Sequence, residues 1–195
     1  MNITKTLYVT TRAEWRAWLK KHHASEKEVW LVYYKKDSGK ARIPYNDAVE
    51  EALCLGWIDS IVKKLDADSF AQRFTPRRPG SQLSPMNKER IRRLIPQKKM
   101  TAAGLAAVKD ALGAALVETR LGTKVEPRLV IAPDILQALQ ADAQTWRNFQ
   151  KFPASYQRIR IAWIEGARKR PEVFQQRLRY FLKMTAQNKR FGMVQ

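Results

Sequence analysis

The hydrophobic pattern at the start of the chain predicts two helices. Residues 12–22 carry apolar side chains at helical spacing. Thr11 and Glu14 flank the start of this segment at the spacing of a capping box, so we predict that the first helix begins there. Residues 46–55 again place apolar side chains on one stripe, and Gly56 is positioned to end that second helix in a left-handed cap.

Three other segments have the composition of strands. Val29–Tyr34 is a run of β-branched and aromatic residues with apolar side chains on both faces. Residues 57–65 and 70–75 follow the second helix, and the four residues between them read as a hairpin turn. Strands joined by so short a link are antiparallel. The order of elements therefore predicts an α+β fold with a small antiparallel or mixed sheet backed by helices.

The segment after the last strand is a basic loop that leads into a helix. Residues 76–81 contain two prolines, which cannot donate to a sheet, together with two arginines. Ser84 is a good N-cap with Pro85 at the first helical position, and Pro96 stops that helix. Residues 101–116 then predict an alanine-rich helix.

The remainder of the chain predicts a helical module. Residues 117–132 show little periodicity and contain Gly and Pro, which is typical of a linker. Four helical segments follow, over 133–143, 143–151, 155–167 and 172–187. We therefore predict an α+β domain over residues 1–116, a linker over 117–132 and a helical C-terminal module over 133–195.

Composition narrows the class of protein. With 195 residues, 45% of them hydrophobic, and six tryptophans, the chain can bury a packed core. It has no apolar run of about 18 residues and no signal-like start, so we expect a cytoplasmic protein. The single Cys54 lies among apolar neighbours, which favours burial over catalysis. His22 and His23 have no further ligands at metal spacing, and we expect neither a metal nor a cofactor.

Positive charge is concentrated in two segments. The net charge is +19; residues 63–99 hold eleven basic and three acidic side chains, and residues 147–195 hold twelve and two. Such a field attracts polyanions, so nucleic acid, anionic lipid or a phosphorylated molecule are the candidate partners. The alternative is a solvated basic surface that only aids solubility.

Arginines and small polar residues cluster around the basic loop. Guanidinium groups match phosphate or carboxylate oxygens, and the free amides of a helix start add donors. We predict an anion site from these residues: Arg73, Arg77, Arg78, Ser81, Ser84, Asn87 and Arg90. The alternative is that the arginines pair with Asp59, Asp66 or Asp68 and hold the loop in place.

Trp57 and Asp59 follow the cap at Gly56 and are the candidates for a pocket. An acid beside an arginine is usually ionised, which favours an ion pair over a general acid. The sequence contains no glycine-rich phosphate loop, G-x-S-x-G elbow or H-E-x-x-H helix, so a binding protein is favoured over an enzyme. Base stacking by Trp30, Tyr33 or Tyr34 would require a solvent-facing sheet.

Several sequence blocks resemble one bacterial family. Residues 51–60 (EALCLGWIDS) and 73–81 (RFTPRRPGS) look like the signature blocks of the YdeI/OmpD-associated family. Residues 100–104 (MTAAG) and 152–156 (FPASY) are similar to further parts of its pattern. The resemblance implies a first part like the YjbR/CyaY fold, a helical C-terminal module and a role in bacteriocin protection.

Three hypotheses about function follow. The first is an accessory protein for stress or antimicrobial resistance that binds an anionic partner such as nucleic acid. Its contacts would be Arg77, Arg78, Lys88, Arg90, Arg92 and Arg93. The second is an enzyme or binder of a small phosphorylated or carboxylated ligand, in a pocket of Trp57, Asp59, Arg73 and Arg77. The third is a protein-interaction module that uses the C-terminal helices.

Overall fold

The computed structural model describes residues 2–112 and 128–192, which form two compact units. The first unit contains residues 2–83 and 90–112, and the second contains residues 84–89 and 128–192. These residues fold into eight α-helices and four strands. The predicted α+β class with a helical C-terminal part is confirmed.

The four strands form one mixed sheet. Their bounds are β1 Thr6–Leu7, β2 Val29–Tyr34, β3 Trp57–Lys64 and β4 Ser69–Pro76. The spatial order is β1-β2-β4-β3, with β1 parallel to β2 and the other neighbours antiparallel. β3 and β4 form the predicted hairpin, whereas β1 is too short to leave an alternating pattern in the sequence.

The helices begin and end close to the predicted positions. Their bounds are α1 Arg12–His22, α2 Tyr45–Cys54, α3 Pro85–Leu94, α4 Ala102–Leu112, α5 Pro133–Gln140, α6 Ala143–Lys151, α7 Ala154–Glu165 and α8 Pro171–Ala186. Thr11 and Glu14 form the predicted capping box of α1. Gly56 has φ +81°, so the left-handed position after α2 is also confirmed. Residues 36–38 form a short 3₁₀ turn.

The core of the first unit lies between the helices and one face of the sheet. Alternate residues of β2 and β4 supply that face, and α1 and α2 cover it. The largest side chains of this core are almost fully buried: Trp15, Leu19, Leu31, Leu53, Trp57 and Phe74. Burying each such side chain contributes about 1.5–3 kcal/mol, so this layer fixes the sheet against the helices.

α4 packs against the end of α2 through a glycine. The carbonyl oxygen of Cys54 accepts two hydrogen bonds from Thr101, one from its amide at 2.9 Å and one from its hydroxyl at 2.8 Å. Gly104 lies so close to this carbonyl that a Cβ atom there would stand 2.1 Å from the oxygen. The missing side chain therefore permits the contact between the two helices.

The second unit has a core of its own. Its largest members come from α5, α6, α7 and α8: Ile135, Leu139, Phe149, Tyr156 and Phe181. The predicted linker over 117–132 lies for the most part outside the described residues, so the domain boundaries stay a prediction. No helix in the described part of the chain is long and apolar enough to cross a membrane.

Candidate functional site

Arg73 is held by a glutamate from a distant part of the chain. Its Nε donates to Glu28 Oε2 at 2.6 Å, and its Nη2 contacts the same oxygen. Glu28 also accepts a hydrogen bond from the Thr4 hydroxyl. This hydrogen bond and the one from Arg73 lower the pKa of the glutamate. Arg73 thus has the internal ion pair of the alternative reading, with a glutamate in place of the three aspartates considered, and its charge is neutralised within the first unit.

The buried Arg77 side chain forms hydrogen bonds across the basic loop. Its Nη2 donates to the carbonyl oxygen of Ser81 at 2.7 Å and to the Ser81 hydroxyl at 2.9 Å. The side chain is buried, makes no ion pair with an acid among the described residues, and burial lowers its pKa. Ser81 in turn donates to the carbonyl oxygen of Arg78, whose own side chain is exposed. Of these loop arginines, Arg78 faces solvent.

The remaining predicted anion ligands also have internal contacts. Arg90 is 8% exposed and donates to Asn46 Oδ1 at 2.6 Å. Ser84 caps α3 by accepting the amide of Asn87, and both residues belong to the second unit. Arg93 is paired with Glu50, and Lys88 and Arg92 are half-buried. The predicted residues are therefore used largely to hold the fold.

Asp59 lies in a polar cluster on the helix-covered face of the sheet. Its Oδ2 accepts the Tyr45 hydroxyl at 2.7 Å and the Gln72 amide at 3.3 Å. Asp59 pairs with Phe74 in the sheet, so the neighbouring Arg73 points to the opposite face. The structure therefore does not bring Asp59 and Arg73 together.

Trp57 contributes to the core instead of lining a pocket. It is 1% exposed, and its indole nitrogen donates to the carbonyl oxygen of His23 at 3.0 Å. The predicted convergence of Trp57 with Asp59, Arg73 and Arg77 is not formed. Trp30 and Tyr33 are also buried, so these two sheet aromatics cannot stack on bases.

Tyr45, which the sequence did not single out, and Tyr33, which it named only as a stacking candidate, lie beside Asp59 in this cluster. Burial and, after it, the hydrogen bond to Asp59 together raise the pKa of Tyr45 to about 12. Burial, with Tyr45 and Asp59 nearby, raises the pKa of Tyr33 as well. The Tyr33 hydroxyl is buried without a hydrogen-bond partner in the described part of the chain. An unpaired buried hydroxyl is costly, which marks this cluster as unusual.

The second unit carries a group of exposed cations on and just after its last helix. Arg179 and Lys183 lie one turn apart on the outer side of α8, and Lys189 and Arg190 follow its end. All four are exposed and make no ion pair with an acid among residues 2–112 and 128–192. We call these four residues the basic face.

The part of the chain that the structure describes contains no group of three or more His, Cys, Asp or Glu side chains that could hold a metal ion. Cys54 is fully buried, and burial raises the pKa of its thiol to about 11. A thiol in this setting is a poor nucleophile at neutral pH.

Comparison with known proteins divides the chain in two. Residues 7–107 match the model of a family described as "Domain of unknown function (DUF8412)". Residues 128–188 match the family described as "Bacteriocin-protection, YdeI or OmpD-Associated". Searches among curated proteins and among solved structures found no match.

The second match confirms the family resemblance for the C-terminal residues. The blocks at residues 51–60 and 73–81, which suggested the same family, fall within the first match, and a YjbR/CyaY-like first part stays a prediction. The chain thus belongs to the DUF8412 family, whose model matches more than half of its length, and residues 128–188 are similar to the bacteriocin-protection, YdeI or OmpD-associated family.

Proposed function

We propose that this protein is an accessory protein of the bacteriocin-protection type that binds nucleic acid through the basic face of its second unit. The observation that carries the proposal is the absence of acidic partners for Arg179, Lys183, Lys189 and Arg190 within the described residues. Cations that no internal carboxylate neutralises are free to replace the counterions of a polyanion.

The choice of the basic face over the loop arginines follows from burial and pairing. Arg73 is bound to Glu28, and Arg77 and Arg90 are buried. A buried guanidinium cannot reach a phosphate without giving up its internal hydrogen bonds. Arg78 is the exposed arginine of the predicted loop, and the proposal does not depend on it.

The proposal is tested by fluorescence anisotropy with labelled DNA and RNA across a salt series. We expect binding without strong sequence preference, and affinity that falls steeply with salt. The double substitution Arg179→Ala with Lys183→Ala removes two contacts, so the slope of log affinity against log salt should become shallower by about 1.4–1.8.

A matched control removes the same charge elsewhere. Lys20 and Lys21 are exposed on α1 and make no ion pair with an acid in the described part of the chain, so Lys20→Ala with Lys21→Ala changes the net charge equally. This variant should bind nearly as well as the parent. Equal losses in the two double variants would show a general charge effect, and absence of binding at low salt would reject the proposal.

The Asp59 cluster supports a second candidate, the binding of a small ligand. The unpaired Tyr33 hydroxyl, beside Tyr45 and Asp59, is the specific observation that favours it. A ligand that completes the hydrogen bonding of Tyr33 would raise the melting temperature of the protein. We would screen nucleotides, phosphorylated sugars and amino acids by thermal shift, with Asp59→Asn as the control. A screen without hits, or hits unchanged in that variant, would reject this candidate.

A further inference from the structure

One aromatic side chain lies exposed in the middle of the basic face. Tyr180 is 45% exposed on the outer side of α8, directly after Arg179 and one turn before Lys183. Its hydroxyl makes no hydrogen bond within residues 2–112 and 128–192. The hydroxyl interacts electrostatically with the Arg160 guanidinium without a hydrogen bond to it.

The chain beyond α8 supports the Tyr180 ring. Asn188 adopts a left-handed conformation with φ 53°, and Lys189 donates its amide to the carbonyl oxygen of Met184. The chain then folds back so that the Phe191 ring contacts Tyr180, with 4.8 Å between centroids and an angle of 75° between the planes. Lys189 and Arg190 lie in this returning segment, between the end of α8 and Phe191, and both are exposed.

Phe191 is itself fixed by a buried arginine. Arg160 Nη2 donates to the carbonyl oxygen of Phe191 at 2.6 Å, and its guanidinium carbon lies 4.1 Å from the centre of the Phe191 ring. Tyr156 and Trp163 also contact Phe191 edge-on. The Tyr180 ring thus packs against an ordered group of aromatic side chains. A ligand that stacks on the ring therefore loses little binding free energy to the ordering of the site.

We propose that Tyr180 stacks on a base of single-stranded nucleic acid while the basic face binds the neighbouring phosphates. The inference rests on the function proposed above and names the form of nucleic acid that this face takes. A single strand offers unstacked bases with open π-faces, which an exposed aromatic ring can contact. A duplex hides those faces and offers the same ring mainly sugar and phosphate.

The surroundings of Tyr180 favour nucleic acid over a lipid surface. An interfacial helix inserts a broad apolar face with several large apolar side chains. On α8, the other residues exposed between positions 172 and 183 are polar or charged: Glu172, Gln175, Gln176, Arg179 and Lys183. One tyrosine amid glutamines and cations gives no apolar face to bury in acyl chains.

The experiment compares the full chain and three variants on two probes of equal length. The probes are a fluorescein-labelled oligothymidylate, which forms no duplex, and a labelled mixed-sequence duplex. Tyr180→Ala removes the ring, Tyr180→Phe retains it, and Lys183→Ala removes a neighbouring charge. Circular dichroism would establish that each variant is folded, as expected for exposed positions.

We expect Tyr180→Ala to weaken binding of the single strand by about five-fold or more, which corresponds to roughly 1 kcal/mol or more of stacking. The same change should leave the dissociation constant for the duplex within about two-fold of the parent's. Tyr180→Phe should bind the single strand like the parent, and Lys183→Ala should weaken both probes alike.

Each other outcome overturns a definite part of the reasoning. If Lys183→Ala weakens both probes but Tyr180→Ala weakens neither, nucleic-acid binding stands and the stacking role is wrong. If neither probe binds at low salt, the proposed function itself fails. Binding to phosphatidylglycerol vesicles is measured for the same proteins. If Tyr180→Ala abolishes that binding and leaves the single strand unaffected, the face is a lipid-binding surface and the inference is overturned.

Discussion

Replacement of Gly104 by alanine tests the packing of α4 on α2. In an exposed helix this change usually stabilises a protein by about 1 kcal/mol, because alanine restricts the unfolded chain and favours the helix. Gly104 is buried, and the added Cβ atom would lie 2.1 Å from the carbonyl oxygen of Cys54 and 2.6 Å from its carbon. We therefore expect the opposite sign.

The size of the effect follows from the contact. Ordinary van der Waals contact begins at 3.4 Å, so α4 would have to withdraw by about 1.3 Å from a backbone carbonyl that cannot rotate away. Overpacking of this kind costs about 1–3 kcal/mol. The movement also stretches the two hydrogen bonds from Thr101 to the same carbonyl, worth about 1 kcal/mol each. After the helix-propensity gain, we expect a net loss of about 2–4 kcal/mol.

Urea denaturation followed by tryptophan fluorescence would measure this loss, since Trp15, Trp18, Trp30 and Trp57 all lie in the first unit. A lower midpoint with an unchanged slope would indicate a true loss of stability. Ala106→Gly, at an exposed position of the same helix, is the control and should cost about 1 kcal/mol. A Gly104→Ala protein as stable as the parent would refute the reasoning.

Two further predictions concern α2. The Cys54 thiol, with its pKa raised to about 11, should resist alkylation in the folded protein at about pH 8 and react fully in urea. Because the unfolded thiol ionises near 9.0, the free energy of unfolding should also fall as pH rises from 9.0 to about 11. Rapid alkylation of Cys54 in the native protein would contradict the burial on which both statements depend. Glu51 is 3% exposed and binds Arg12 and Arg16, so Glu51→Gln should cost about 1–3 kcal/mol in urea denaturation. The control is Asp47→Asn, at the more exposed partner of Arg12, and a loss as large as that of Glu51→Gln would contradict the assignment.

Features governed by neighbouring residues could be predicted from the sequence. The capping box of Thr11 and Glu14, the left-handed Gly56 and the Ser84 cap each depend on contacts within about four residues. The fold class followed from the same local patterns, because hydrophobic periodicity determines which face of each helix or strand is buried.

Long-range pairings could not be predicted in this way. Glu28 and Arg73 are far apart in sequence, and only the alignment of β2 with β4 places them side by side. The position of Asp59 depends on an irregularity in register between Asp59 and Val62, which no alternating pattern reveals. The sequence therefore predicts an external ligand for arginines that the fold buries or pairs, Arg78 excepted.

The division of α3 between the two units has a practical meaning for anyone who dissects this protein. Residues 84–89 belong with the C-terminal helices, and Glu89 binds Arg158 there through both carboxylate oxygens, at 2.9 and 2.7 Å. Family boundaries drawn along the sequence place the same six residues with the N-terminal half. A fragment cut at either family boundary would separate Glu89 from Arg158. Loss of activity in such a fragment could then result from the missing ion pair, and would not show that the fragment lacks the functional residues.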